Sequence, residues 1–177
     1  MKQYPVMEKV YETTQDNQAR FALGELGKYP LIAFGVNCST ATDQKLDTTV
    51  TKVKRFAELK GFEGWLMLNL SPQRATNPED MHEDLRLDWH QANLATIEKY
   101  LSQIHKPTIW AAWGQTIEVR SYLRDSLADI VAVTDMFRSR WVRAGKLTKS
   151  GHPRHPSRMA YDYDLCDFDI GHYIQII

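Results

Sequence analysis

Three short apolar runs constrain this chain more than any other feature: residues 31–37 (LIAFGVN), 65–70 (WLMLNL) and 108–113 (TIWAAW). None alternates polar with apolar residues, so each reads as a strand covered on both faces. The first starts after Pro30; the third starts after Pro107 and is closed by Gly114. A fourth, weaker strand is expected around residues 141–144.

Helical patterns separate these runs. Asp47 is placed to cap a helix beginning at Thr48, with Val50, Val53, Phe56 and Ala57 on its inner face and Gly61 at its end. Asp88 is read as the cap of a second helix, with Leu94, Ile97, Leu101 and Ile104 inward. Thr116 is read as the cap of a third, carrying Val119, Leu123, Leu127, Ile130 and Phe137. Residues 71–87 hold Pro72 and Pro78 and read as a loop with at most one helical turn. The alternating C-terminus, residues 166–177, reads as an edge strand. Strand and helix taking turns predict an α/β fold, a three-layer sandwich with a mainly parallel four-stranded central sheet. The length of 177 residues fits one domain over 1–177, burying roughly 70% of its unfolded surface.

Composition narrows the function classes. Hydrophobic residues at 43% and charged residues at 25% exclude intrinsic disorder. The 22 basic residues balance the 22 acidic ones, which excludes a basic coat over the whole surface but not a local patch. Two unpaired cysteines, Cys38 and Cys166, suggest a reducing compartment. No apolar run approaches a membrane span, and residues 1–18 lack the apolar core of a signal peptide. The expectation is a soluble, cytoplasmic protein with no membrane partner.

In parallel α/β sheets ligands bind beyond the carboxyl ends of the strands. The loops to inspect are therefore 37–46, 69–86, 113–117 and 145–158. In the first, Asn37, Cys38, Ser39 and Thr40 either cap their own backbone or form a polar floor for a ligand oxygen or a water. Asn69 lies in an apolar strand, so its amide either braces a neighbouring loop or faces a ligand. Arg74 is either a solvated loop charge or a ligand contact. Trp113 is either core or a stacking surface.

The fourth loop says most. Residues 136–161 hold no acid and seven basic residues, Arg138, Arg140, Arg143, Lys146, Lys149, Arg154 and Arg158. That is the footprint of phosphate contact, or else a solvated helix end. The stretch His152-Pro153-Arg154-His155-Pro156 stiffens the backbone around two histidines. No phosphate loop, dinucleotide fingerprint, nucleophile elbow or Cys-x-x-Cys zinc pair is present. Cys38, His152 and His155 make a weak metal pattern, and the aspartates at 162, 164, 167 and 169 mark a solvent face more simply than a magnesium site. No metal and no cofactor are expected.

The ordered motifs Asn37-Cys38-Ser39-Thr40-Ala41, Asp47-Thr48-Thr49, Asn69-Leu70, Arg74-Ala75-Thr76-Asn77-Pro78, Ala111-Ala112-Trp113-Gly114 and the run from Leu147 to Pro156 resemble domain-of-unknown-function family 1643 of bacteria and phage. The likeness runs from about Arg20 to Met159. The family pattern has a proline where this chain has Cys38 and a leucine where it has Ser157, which implies a less rigid first loop. More distantly, Gly35-Val36-Asn37 and His155-Pro156-Ser157 are similar to the first and last motifs of the uracil-DNA glycosylase superfamily, with Asn69 at the place of a base-reading asparagine. That resemblance implies a glycosylase-like sheet and a nucleobase, nucleotide or nucleic-acid ligand. In it Asn37 positions a water, His155 donates to the base carbonyl and Asn69 reads the base edge; the loop residues Ser39, Thr40, Arg74 and Trp113 are the further candidate substrate contacts. Lys149, Arg154 and Arg158 would hold phosphates. The competing readings are a non-catalytic binding module on the same fold, and a small-molecule transferase or hydrolase using Cys38 as nucleophile with His155.

Overall fold

The computed structural model describes residues 6–177. Residues 1–5, part of the stretch inspected above for a signal peptide, lie outside the described residues. Among the described residues no helix is long and apolar enough to cross a membrane.

The strands are β1 (Glu8–Thr13), β2 (Arg20–Leu26), β3 (Leu31–Gly35), β4 (Gly64–Asn69), β5 (Thr108–Ala111), β6 (Arg140–Ala144) and β7 (Leu165–Asp167). The helices are α1 (Thr48–Leu59), α2 (Leu87–Leu101), α3 (Tyr122–Asp135) and α4 (Ile170–Ile176). The seven strands form one mixed sheet in the order β1-β2-β4-β3-β5-β6-β7. This corrects the expected four-stranded, glycosylase-like sheet. The strands expected from the apolar runs are present, and β4, β3, β5 and β6 run parallel side by side. Antiparallel neighbours flank them: the β1–β2 hairpin against β4, and β7 against β6.

The continuous apolar runs exist because both faces of the central strands are covered. Ile32, Phe34, Leu66, Leu68 and Ile109 point to the side of α2, α3 and α4, where Ile97, Leu101, Leu127, Ile130 and Tyr173 meet them. Leu31, Ala33, Trp65, Met67 and Trp110 point to the other side, where α1 supplies Val50, Val53, Phe56 and Ala57. Asp47 caps α1 as expected, its carboxylate accepting from Val50 N at 2.8 Å. Gly61 follows the end of α1 at φ +81°.

Three further expectations are corrected. Asp88 does not cap α2, because the Arg86 guanidinium takes its carboxylate through Nε (3.2 Å) and Nη2 (2.7 Å), and Arg86 stands at the cap position. The third helix does not start after Thr116: residues Gly114–Glu118 form a 3-10 turn and α3 begins at Tyr122. The Arg120 guanidinium donates to the carbonyls of Glu79, Met81 and His82, fixing the chain between the two segments. The C-terminus is a strand only over Leu165–Asp167. Asp169 then caps α4 by accepting from His172 N at 2.9 Å, and Ile170 and Tyr173, one turn apart, are buried. Its apolar residues fit a period of two and a helical period equally well over so short a span.

Phe56 is fully buried and stacks on Trp110 with ring centroids 4.8 Å apart. This pair joins α1 to the middle of the sheet. Phe56→Ala is expected to lower unfolding free energy by about 3–5 kcal/mol, measured by urea denaturation.

Candidate functional site

The parallel strands end together. Beyond β3 and β4 the ladder continues through Leu70 N to Gly35 O (2.9 Å) and Ser71 N to Val36 O (2.8 Å). Beyond β5 it continues through Ala112 N to Phe34 O (2.9 Å). At this edge a cleft of about 760 Å³ opens, a size that holds a small organic ligand. It draws on all four loops singled out from the sequence: Asn37 and Ser39, Thr76 and Pro78, Gln115 and Thr116, and Thr148, Arg154, His155 and Arg158. The first turn of α1 and the Arg20 side chain complete the wall.

The expected site residues divide. Asn37, Ser39, Trp113, Arg154, His155 and Arg158 line the cleft; Thr40, Asn69, Arg74 and Lys149 do not. Asn69 is buried, and with its amide oriented to satisfy its neighbours its nitrogen donates to Asn37 O and Leu68 O, both at 3.3 Å. It braces the first loop from beneath. Arg74 is a brace as well: its guanidinium donates to Ser39 O (2.6 Å), Ala41 O (3.1 Å), Tyr11 Oη (2.9 Å) and Asn17 Oδ1 (3.1 Å). Trp113 has no exposed surface, and its ring packs among Trp141, Phe168 and Tyr173. It underlies the cleft without offering a face on which a ligand could stack.

Among the described residues Asn37 and His155 each keep one polar atom without a partner. Asn37 Nδ2 is consumed by Cys38 O (2.9 Å) and Ala75 O (2.8 Å), which fixes the amide and leaves Oδ1 as an acceptor. His155 Nδ1 accepts from Ser157 N (3.3 Å) and lies 2.7 Å from Ser157 Oγ. Nδ1 as acceptor places the ring proton on Nε2, a donor without a partner among the described residues. Burial, and then the positive charge of Arg158, hold His155 below the ordinary histidine value of 6.5, while Asp47 pulls the other way. The imidazole is thus neutral at pH 7. Gly114 lets it approach: at φ +61° a Cβ there would lie 3.0 Å from His155 Cβ.

The loop carrying these groups is held from two sides. Lys52 of α1 donates to Ser157 O (3.3 Å) and Met159 O (2.7 Å). On the other side buried His152 bridges Tyr173 Oη (2.7 Å) and Glu118 Oε1 (3.0 Å), and Tyr173 Oη accepts from Trp113 Nε1 (3.0 Å). The His152 hydrogen bond, seconded by Gln115, holds Glu118 below the usual carboxylate range, and burial pushes the Tyr173 phenol up to about 12. His152 is therefore a strut, not a ligand. Among the described residues no three His, Cys, Asp or Glu side chains group as a metal site. Cys38 is 1% exposed, its thiol donates to Pro72 O (3.1 Å) and Gln73 O (3.4 Å), and burial pushes its pKa up. Such a thiol is not a nucleophile.

The profile described as "Protein of unknown function (DUF1643)" matches residues 20–157. The chain belongs to the DUF1643 family. No curated protein and no solved structure matches it. In this DUF1643 protein nearly all of the cleft lining, from Arg20 to Ser157, falls inside the matched region, and Arg158 lies one residue beyond it. Sequence reasoning gives no site role to several of the lining residues, Arg20, Asp47, Thr48 and Thr49 among them. Asp47 reads from the sequence as a helix cap and part of a family motif, and among the described residues it is the one carboxylate in the cleft wall; Arg20, at the start of a strand that no pattern announces, carries no signal.

Tyr173→Phe leaves His152 Nδ1 and Trp113 Nε1 without their partner, and is expected to cost about 1–3 kcal/mol, read by thermal and urea unfolding. For His155 the lowered value means the unfolded chain takes up the proton first, so stability is fully present above about pH 6.5. It declines as pH falls toward the folded value, and His155→Gln should flatten the curve over that window.

Proposed function

We propose that the cleft binds a nucleobase carried on a nucleotide or nucleic acid and hydrolyses its N-glycosidic bond. The observation that carries this reading is the pair of fixed, opposite polarities in one cleft. Asn37 offers an acceptor oxygen and neutral His155 offers an Nε2–H donor, beside Arg154 and Arg158. The motif likeness of Gly35-Val36-Asn37 and His155-Pro156-Ser157 to the glycosylase superfamily points the same way.

In this reading the Asn37 amide oxygen holds a water against C1′. The water oxygen bonds to C1′ as the C1′–N bond breaks, and the bonding electron pair leaves with the base. One proton of the water ends on the base and the other remains on the new C1′ hydroxyl. His155 Nε2–H donates to the carbonyl oxygen of the base as negative charge develops there. An amide is a weak base, so the reaction is slower than with a carboxylate at position 37. The base must leave a duplex stack to enter the cleft.

The amide at position 37 also favours a second reading, a module that binds the same ligand without chemistry. Base release separates the two, screened on uracil-, hypoxanthine- and xanthine-containing oligonucleotides. Release is expected from at least one of them, and His155→Ala should lower its rate roughly a hundred- to a thousand-fold with melting temperature and ligand affinity nearly kept. Release from none, or an unchanged rate in the variant, overturns the hydrolase. Binding to oligonucleotides should weaken with salt. Arg154→Ala or Lys149→Ala should flatten the log–log slope by about 0.7–0.9 for each phosphate whose neutralisation the variant abolishes. Salt-independent affinity points to a neutral ligand instead.

A further inference from the structure

We propose that the part of the cleft between Arg20 and the N-terminus of α1 is a binding site for a tetrahedral phosphate dianion, supplied by a nucleoside monophosphate or as free phosphate. The inference deepens the nucleotide reading, on which it rests for its natural ligand, but the site itself is argued from a different set of groups.

Arg20 is the anomaly. It is 1% exposed, yet it forms part of the cleft wall. Its guanidinium has five N–H donors and, among the described residues, makes one hydrogen bond, Nη1 to Ala41 O at 3.0 Å. Its Nε is fully buried and has no partner among the described residues. Among the described residues no carboxylate forms an ion pair with it. The neighbouring Arg74 shows what a structural arginine looks like here: it shares the Ala41 carbonyl and places its other donors on Ser39, Tyr11 and Asn17. A brace for the 38–42 loop already exists in Arg74. A second guanidinium, buried at a desolvation cost and left mostly unpaired, is explained by an anion that arrives from the cleft.

The groups around it are donors. α1 is a 12-residue helix whose first turn lines the same cleft. Thr48 and Thr49 precede the first main-chain bond of the helix, Thr51 N to Asp47 O, so among the described residues their N–H groups have no partner, and both carry hydroxyls. Asp47 is the one acid in the lining, and one of its carboxylate oxygens is already engaged by Val50 N. N–H donors at a helix N-terminus and a guanidinium fork lining the same cleft match an oxyanion with several acceptor oxygens. They do not match a neutral base, which carries donors of its own. Arg154 and Arg158 lie on the fourth loop and would meet further phosphates of a chain or the solvent-facing oxygens of a single one.

Three probes test the site on the full-length protein: inorganic phosphate, uridine and uridine 5′-monophosphate. Amide shifts in 15N-labelled wild type are the primary readout, because they need no variant to fold. Phosphate and uridine 5′-monophosphate are expected to shift the amides of Thr48 and Thr49 and the guanidinium Nε–H of Arg20, and uridine is not. If the nucleotide binds more tightly than inorganic phosphate, the natural dianion is the phosphomonoester; equal affinity assigns the site to free phosphate. Arg20→Lys, which keeps the charge and loses the fork, should weaken phosphate binding roughly ten- to a hundred-fold. Shifts confined to Lys149, Arg154 and Arg158, or no shift at Thr48 and Thr49 with either anion, overturn the site whether or not base release is found. Shifts at Thr48 and Thr49 without base release leave the site standing and remove the hydrolase.

Discussion

The arrangement depends on one constraint: β4, β3, β5 and β6 are parallel, buried on both faces, and finish at the same edge. A parallel ladder leaves its terminal main-chain groups and the residues just beyond them at a common level. Those groups cannot be abandoned in a dry interior. Here they are met by side chains sent from elsewhere, such as Asn69 beneath Asn37 O and Asn93 Nδ2 on Asn69 O at 2.9 Å. The polar cleft exists because the apolar sheet has to end somewhere, and the loops that close it must be polar to do so.

Electrostatics follows from the same geometry. The chain as a whole is neutral, yet the cleft wall sets Arg20, Arg154 and Arg158 against Asp47 alone. Acid is displaced to other surfaces, as in the Arg140–Asp167 pair (2.7 Å) across β6 and β7 and the Lys99–Glu12 pair joining α2 to β1. Segregation of this kind focuses positive potential where the loops converge without making the protein basic. Burial is the first cause that holds His155 below the ordinary histidine value, and the charge of Arg158 in this wall adds to it.

How much of this is legible in the sequence depends on period and partner. Strands β3, β4 and β5 are legible because burial on two faces writes an unbroken apolar run. α1 is legible because Asp47, its inner stripe and Gly61 agree. The β1–β2 hairpin is not, although its turn at Asp16-Asn17 with Asn17 at φ +56° is a known turn signal; β1 is half-exposed and carries charges on its outer residues. In the site, loop residues are legible as a set because strand ends collect them. Which of them face the cleft is not: Asn69, Arg74 and Trp113 suggest ligand contacts by type, and each is turned to bracing or packing by a partner far along the chain. Arg20 is the opposite case. Nothing local distinguishes an arginine that opens a strand from any other.

Cys38 shows how such bracing replaces a rigid residue. The family pattern implied by the resemblance has a proline at this position, and its replacement implies a looser loop. The structure reports otherwise. Cys38 O accepts from Ala75 N (2.9 Å), Cys38 pairs with Arg74 in a parallel bridge, and the thiol donates to Pro72 O and Gln73 O. A proline stiffens the loop by fixing its own φ and has no donor to give. The cysteine leaves φ free and instead ties the loop to the 72–75 segment through side chain and main chain together. The Asn37 amide is held in one orientation, and its rigidity resides in the packing of two loops. Loosening the 72–75 segment would therefore disturb Asn37 as surely as a change at Asn37 itself, because Ala75 O is one of the two acceptors that fix its amide.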